Sequence, residues 1–530
     1  MKSVICSVSL ITAAMLYASC RGFADETTAD RPTLRGICFG PYRASESPDC
    51  GVYPTLEEIR EELQFIKDAK IAKKIRTYSC LNTLSNVPAI CQELGLECWP
   101  GAWLGTDPCA NEREIEALIA VGKMHLTNCP ALIVGNEVLL RRDNGNTNEL
   151  SETELIENFK RVRRDTGRHI AYAEISGNIC AHKDVGKAVD VILVHLYPYW
   201  GSKHINEAMD NISNELRKVA VTNYPDKKVI IGETGWPSSG EIQGGIAKPS
   251  PENQAKYLQD FLKLSQDNDI DYFYFSLFNE SWKTNSGEGM QGGHWGLFTE
   301  DGKLNPFLKT NFFVTAQSGM NRQPGAIPKP HRLDLPAYIY ADACSESNRF
   351  FPTFYMGDAS SDLAIDNRCT TSPHSGTDCI KITYNLTNPK RTNLSALTLN
   401  SNQRFADDWA GIYWIGPYIN HTGKYPGYIV HGAKRVEFWA RGEEGGEMVE
   451  FTTGGINFTN LAPDVFRDSF DVRPSPENRL IHLSKKWKKY TISLAGADTS
   501  SYFGGFCVAV SEAKNPGGCA FYLDDILITR

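Results

Sequence analysis

Two glutamates stand where carboxylates are costly. Glu137 closes the apolar run Ala131-Leu-Ile-Val-Gly-Asn-Glu137, and Glu233 closes Val229-Ile-Ile-Gly-Glu233 before Thr-Gly-Trp236-Pro-Ser. A charge at the end of an apolar strand needs a partner, because burying it alone is expensive. Two carboxylates presented from two strand ends into one cleft are also the chemical minimum for breaking a glycosidic bond. One donates a proton to the leaving oxygen, and the other attacks the anomeric carbon or activates water. A retaining pair stands about 5–5.5 Å apart, closer than an inverting pair that leaves room for water. At such a distance both cannot ionise easily, so one pKa rises and that group can serve as the acid. Lys283 or Arg76 nearby would hold the other ionised.

Only a fold can bring these residues together, and the chain patterning predicts which. Short, nearly continuous apolar runs occupy 34–40, 74–79, 97–103, 132–137, 170–175, 191–197, 228–233 and 272–278. Amphipathic stretches at 55–69, 111–126, 152–166 and 253–264 lie between or after them. Thr55 with Glu58, and Ser151 with Glu154, are capping-box starts. Eight buried strands alternating with helices predict a (β/α)8 TIM barrel over 30–317. An open doubly wound sheet is disfavoured because no Gly-rich phosphate loop follows the first strand. A barrel collects function at the C-terminal ends of its strands. There the sequence places Tyr42, Arg76 and Tyr78, Trp103, Asn136 and Glu137, His195, Tyr197 and Trp200, Glu233 and Trp236, and Glu280 and Lys283.

Five segments together carry a family resemblance: Gly135-Asn-Glu137, Val194-His-Leu-Tyr-Pro-Tyr199, Gly232-Glu-Thr-Gly-Trp-Pro-Ser238, Phe278-Asn-Glu-Ser-Trp-Lys283 and Trp295-Gly-Leu-Phe298. In kind and order they resemble glycoside hydrolase family 17, the β-1,3-glucanases, and Gly36-Ile-Cys-Phe-Gly-Pro-Tyr-Arg43 resembles its bacterial and fungal branch. The resemblance covers about 34–313. It implies a retaining mechanism on β-1,3-glucan, with Glu137 as acid/base and Glu233 as nucleophile. It further implies that Asn136 bonds the sugar 2-hydroxyl and that Glu280 and Lys283 border the site. His195 stands where plant members usually carry Asn, and Phe39 where they carry Tyr. Tyr42, Arg76, Tyr78, Tyr197 and Trp236 complete the candidate substrate contacts, with rim packing as the bland alternative for the aromatic ones. His195 reads equally as a core histidine or a substrate contact, and no role is assigned to Asp107 or Glu174.

Beyond a Pro-rich linker at 318–336, period-two runs separated by Gly, Asn and Pro predict an all-β sandwich over 337–530. Its Trp487-Lys-Lys-Tyr490 and Phe521-Tyr-Leu-Asp-Asp-Ile526 segments resemble jelly-roll carbohydrate-binding modules. Trp409, Tyr413, Trp414 and Tyr418 are either a glycan platform or core. In such folds the Asp524-Asp525 strand often lies near a structural calcium, although one short motif is not a calcium loop.

At the other end, Lys2 and the apolar run 4–17 predict a signal segment over 1–24. Cleavage after Ala24 and lipoprotein acylation at Cys20 are both open. Fifteen cysteines include the close pairs Cys91/Cys98, Cys369/Cys379 and Cys507/Cys519, whose connectivity sequence does not settle. No CxxC or His-x-x-x-His spacing suggests zinc. A formal net charge of −8 argues against a nucleic-acid partner. The expected protein is an exported, monomeric enzyme without a required cofactor, acting on β-1,3-glucan and lacking a transmembrane span. A glucan transglycosylase and a non-catalytic glucan-binding protein are the alternatives.

Overall fold

A computed structural model describes residues 33–146, 148–285, 288–308, 319–357, 362–386, 409–417, 423–457, 465–475 and 480–530. The signal segment 1–24 with Cys20, the ends of the predicted catalytic domain and Tyr418 lie outside the described residues. The chain divides into two units, one built from residues up to 41 and from 55–323, the other from 42–54 and 324–530.

The first unit is a ring of parallel strands. β1 (Leu34–Cys38), β2 (Ala72–Arg76) and β3 (Glu97–Trp99) form one sheet, in that order. β4 (Gly101–Ala102), β5 (Leu132–Asn136), β6 (Ile170–Ile175), β7 (Val191–His195) and β8 (Lys228–Glu233) form the next. Pro100 splits β3 from β4; it has no N–H to donate, yet its carbonyl still accepts from Ile133 N at 2.9 Å. The segment 272–275 closes the ring. Tyr272 bridges Ile231 and Tyr274 bridges Ile37, with Phe273 N to Ile231 O at 2.8 Å and Cys38 N to Tyr274 O at 2.9 Å. The eighth strand is thus two isolated bridges rather than a full ladder, and the unit is TIM-barrel-like.

Local sequence explains where the outer elements start. The helices Leu56–Asp68 and Glu152–Thr166 both open on complete capping boxes, Thr55 with Glu58 and Ser151 with Glu154. The helix Pro108–Lys123 begins three residues before the expected 111 because Asp107 caps it, accepting from Cys109 N at 2.8 Å. Asp107 is therefore a structural residue. β6 and β8 span the expected residues, whereas β2 and β7 stop short of the expected 79 and 197. Their last residues leave the ladder and turn onto the C-terminal face of the ring, and those residues include Tyr78 and Tyr197.

The second unit is two antiparallel six-stranded sheets. One holds β10 (Phe351–Met356), β13 (Trp409–Ile415), β15 (Met448–Thr453), β16 (Arg473–Pro474), β17 (Leu480–His482) and β19 (Gly504–Ser511). The other holds β9 (Ala337–Tyr340), β11 (Leu363–Cys369), β12 (Cys379–Tyr384), β14 (Arg435–Gly442), β18 (Lys488–Ser493) and β20 (Cys519–Thr529). The sheets face each other across an apolar core, with Phe438 of β14 at 4.7 Å from Phe451 of β15 and 4.9 Å from Phe506 of β19, ring centre to ring centre. β13 was not legible as a strand because both its faces are covered, which removes the alternation. Trp414 belongs to the inter-sheet core, and Tyr413 to a second apolar cluster with Ile415, Ile456, Phe503 and Cys507. These two aromatic residues are core rather than an open platform. Cys91, Cys98, Cys369, Cys379, Cys507 and Cys519 are free thiols.

Candidate active site

Glu233 ends β8 and is buried, with both carboxylate oxygens occupied by side-chain donors. Tyr78 donates to Oε1 and Tyr197 to Oε2, each at 2.7 Å. The Arg76 guanidinium stands 3.1 Å from Oε1. Arg76 is itself fully buried and fans across three strands, donating to Gly232 O at 2.6 Å, Asn136 Oδ1 at 2.5 Å and His195 Nε2 at 2.9 Å.

Glu137 is reached differently. Its backbone sits in the left-handed region, φ 51° and ψ 35°, at the junction of β5 and the short helix Val138–Asp143. A non-glycine residue there costs about 1–3 kcal/mol and persists only where its surroundings hold it. Here Glu137 N donates to Ala173 O at 2.9 Å, and Arg141 donates to the adjacent Asn136 carbonyl at 2.7 Å. Glu174 accepts from Leu139 N at 3.1 Å and Leu140 N at 3.3 Å, tying the new helix to β6. The Glu137 side chain is about a quarter exposed and takes one hydrogen bond, from His195 Nδ1 to Oε1 at 2.6 Å. His195 Nε2 lies 3.4 Å from Glu233 Oε1, so one imidazole spans both glutamates. A carboxylate oxygen of Glu137, one of Glu233 and a His195 nitrogen all fall within 4.8 Å of one another.

Three such groups could in principle hold a metal. Here the cation already present is Arg76, close to both Glu233 and His195 Nε2, and its charge opposes a metal ion at the same place. Arg76 offers donors only, so His195 Nε2 must accept from it. The ring proton is therefore assigned to Nδ1, facing Glu137.

The electrostatics of the neighbouring carboxyls differ in sign. Burial raises the Glu233 pKa, but His195, Arg76 and the hydrogen bonds from Tyr78 and Tyr197 together bring it below the ordinary value. Burial also pushes both tyrosine hydroxyls well up, so they remain donors. Glu174, one strand away, is pushed up to about 7 by burial, against hydrogen bonds from Tyr172 and backbone N–H groups.

The other expected residues divide. Arg76, Tyr78, Asn136 and Tyr197 join the two glutamates. Glu280 pairs with Lys283 at 2.5 Å, and the Lys283 ammonium lies 4.5 Å from the Phe275 ring centre. Phe275 in turn stands 6.0 Å from Tyr197 and 6.5 Å from Tyr78. Gly40 is needed beside this pair, since a Cβ there would meet Glu280 Oε1 at 2.2 Å.

Two assignments are corrected or displaced. Trp236 is fully buried, packed 5.7 Å from Tyr199 and 5.8 Å from Tyr257, with its indole N–H on Lys248 O, so its ring has no face left for a sugar. Tyr42 is buried 6.2 Å from Tyr53 within 42–54, the stretch that groups with the C-terminal unit through Ala44 O to Gly325 N and Ser45 O to Tyr425. Two tryptophans of this unit that do keep exposed surface are Trp103 and Trp200, 43% and 36% exposed. His195 was legible only as an ambiguous strand-end histidine. Asp524 and Asp525, the calcium candidates, accept from the backbone N–H of His374 and Ser375 and from the His374 ring and Ser375 hydroxyl. Those donors occupy the oxygens that a calcium ion would need.

Comparison with known proteins agrees with this geometry. Residues 36–296 match the BtgE/BtgC glycoside hydrolase domain. The glucan endo-1,3-beta-glucosidase btgC of Emericella nidulans is 24% identical over 303 residues, covering 52% of this chain and 45% of that protein. The probable btgC enzyme of Aspergillus fumigatus is 27% identical over 300 residues, covering 52% of this chain and 43% of its own. The match thus spans less than half the length of these curated relatives. A solved glycoside hydrolase family 17 beta-1,3-glucanosyltransferase from Rhizomucor miehei is 27% identical, covering 51% of this chain and 94% of that one, with a TM-score of 0.43. No helix among the described residues is long and apolar enough to cross a membrane. Residues 36–296 are thus similar to a glycoside hydrolase domain, and the paired glutamates lie within that match.

Proposed function

We propose that the protein is a retaining β-1,3-glucanase. The observation that carries this reading is the unequal glutamate pair, with carboxylate oxygens within 4.8 Å of each other, near the spacing of about 5–5.5 Å that retention uses. Glu233, buried and held ionised by Arg76 and two tyrosine hydroxyls, suits the nucleophile. Glu137, partly exposed and with Oε2 open among the described residues, suits the proton carrier. In the first half, Glu137 gives its proton to the glycosidic oxygen as a Glu233 oxygen bonds the anomeric carbon and the leaving bond breaks. In the second, Glu137 takes a proton from water as the water oxygen displaces Glu233, which regenerates both carboxyls. In this reading Asn136, whose side-chain oxygen accepts from Arg76, bonds the sugar 2-hydroxyl. Tyr78, Tyr197, Glu280 and Lys283 line the reacting end.

No step in this scheme calls for a metal or cofactor. The names of the similar proteins support a β-1,3-glucan substrate. The N-terminal run supports export, and the two facing sheets support a jelly-roll accessory domain in a monomeric enzyme. Laminarin incubated in oxygen-18 water tests the reading. Labelled short glucooligosaccharides are expected from the wild type and none from Glu137→Gln or Glu233→Gln. Unlabelled products longer than the donor would assign transglycosylation, in which a sugar hydroxyl replaces water. An unchanged polysaccharide that binds tightly would overturn catalysis in favour of a binding role.

A further inference from the structure

His195 takes no part in the scheme above, yet it lies between the two carboxyls that do. It ends β7, with Ile175 of β6 and Glu233 of β8 as its register partners, and its side chain is wholly buried. The charged and titratable groups facing it are Arg76 from β2, Glu137 after β5, Glu174 from β6 and Glu233 from β8. A histidine that only filled a core would have no reason to meet a carboxylate with one nitrogen and a guanidinium with the other. A histidine acting as a proton carrier would need a free nitrogen, and neither is free: Nε2 accepts from Arg76 and Nδ1 donates to Glu137.

We propose that His195 is a positioning residue for the acid/base, turned by the Arg76 donor at Nε2 so that Nδ1–H faces Glu137, and that its hydrogen bond to Glu137 acts mainly in the step that expels the leaving group. The inference rests on the glycosidase reading. In that step Glu137 passes from a carboxylic acid to a carboxylate as its Oε2 proton moves to the leaving oxygen. A fixed donor on Oε1 strengthens as that charge develops, so it stabilises the transition state more than the ground state. His195 keeps its proton throughout, and no bond to it forms or breaks. When water attacks the glucosyl ester, Glu137 loses its charge again and the same donor gives no help. His195 therefore matters in proportion to how much protonation the leaving group needs.

The test uses two donors and three variants of the full chain. Laminarin has a poor leaving group that needs the acid; a 2,4-dinitrophenyl β-laminaribioside has one that departs without it. His195→Ala and His195→Gln are expected to cut kcat/KM on laminarin by about 10–100-fold, while the rate of dinitrophenolate release stays within a few-fold of wild type. His195→Asn carries an amide N–H near the Nδ1 position and should lose least on laminarin, whereas Gln restores only the outer position facing Arg76. Thermal unfolding establishes that each variant is folded. Equal losses on both donors would overturn the inference and make His195 a prop for Arg76 and Glu233. Gln outperforming Asn would overturn it in the same way. A wild-type chain inert on both donors would remove the glycosidase reading, and this inference with it.

Discussion

Both units bury carboxylates, but they hold them by different means. In the β-sandwich, Asp468 accepts from the backbone N–H groups of Ile456 at 2.8 Å and Phe503 at 2.6 Å. Asp524 accepts from His374 N and Asp525 N, both at 2.8 Å. Burial still wins, and their pKa values are pushed up to about 7 and about 6. On the C-terminal face of the barrel, Glu233 is as deeply buried, yet its pKa is lowered because the His195 imidazole, the Arg76 guanidinium and two tyrosine hydroxyls surround it. Glu174 shows that the divide follows donor type rather than unit, since backbone donors and one tyrosine leave it raised. Amide donors fix a carboxyl in place; a buried cation is what keeps it charged. The first arrangement is a staple, and the second keeps a buried carboxylate ionised.

Four changes would break or sharpen that contrast. The largest effect is expected from Glu233→Gln, which should lower laminarin cleavage by about 10⁴-fold while moving the melting temperature little; a comparable loss of stability would mean that Glu233 is a staple after all. Next comes Arg322→Met in the barrel unit. Arg322 and Glu62 form a fully buried ion pair at 2.8 Å, and removing one member of such a pair costs about 3–5 kcal/mol. Urea unfolding measures this, and a loss below about 1 kcal/mol would argue against a cation-held buried carboxylate there.

In the sandwich, Asp468→Ala leaves buried N–H groups without an acceptor, which costs about 1–3 kcal/mol, with laminarin cleavage unchanged. Asp468 also gives the sandwich a pH signature. A carboxyl whose folded pKa is raised contributes stability that is fully present below its unfolded value near 3.9 and is lost as pH rises through about 7. The sandwich transition should therefore melt higher at pH 5 than at pH 8, and Asp468→Ala should flatten that difference.

The smallest change is Tyr78→Phe. Removing a donor to the ionised Glu233 weakens the depression of its pKa, so the acid limb of kcat/KM should move to higher pH. An unmoved limb would mean that Tyr78 adds little to what Arg76 and Tyr197 already do to hold the charge.

Much of the site could be read along the chain because barrel strands deliver their unusual residues at fixed places. Arg76, Tyr78, Asn136, Glu137, Tyr197 and Glu233 all follow apolar runs that bury well, and the structure gathers all six. Side-chain orientation beyond the strand end was not legible. Trp236 shares the Glu233 turn but points into the aromatic core, while Trp103 and Trp200 keep exposed faces that residue type alone does not reveal. The eighth strand read as an ordinary apolar run, and only backbone pairing shows it reduced to bridges at Tyr272 and Tyr274. In the sandwich, β12, β14, β15, β18, β19 and β20 were legible as period-two runs, and β13 was not, because a strand covered on both faces has no polar period.

By itself the sequence determined the alternation of strands and helices in the barrel, the two-unit division in outline and the placing of Glu137 and Glu233 at strand ends. These follow from local patterns of burial and capping, which are properties of neighbouring residues. The roles of the glutamates depended on partners that come from β2, β5, β7 and β8. Arg76, Tyr78, Tyr197 and His195 converge on Glu233 only when the ring closes, and the left-handed backbone at Glu137 is held only by contacts from β6 and Arg141. Charge at a buried carboxyl is set by what surrounds it in space, and for this chain only tertiary structure supplies those neighbours.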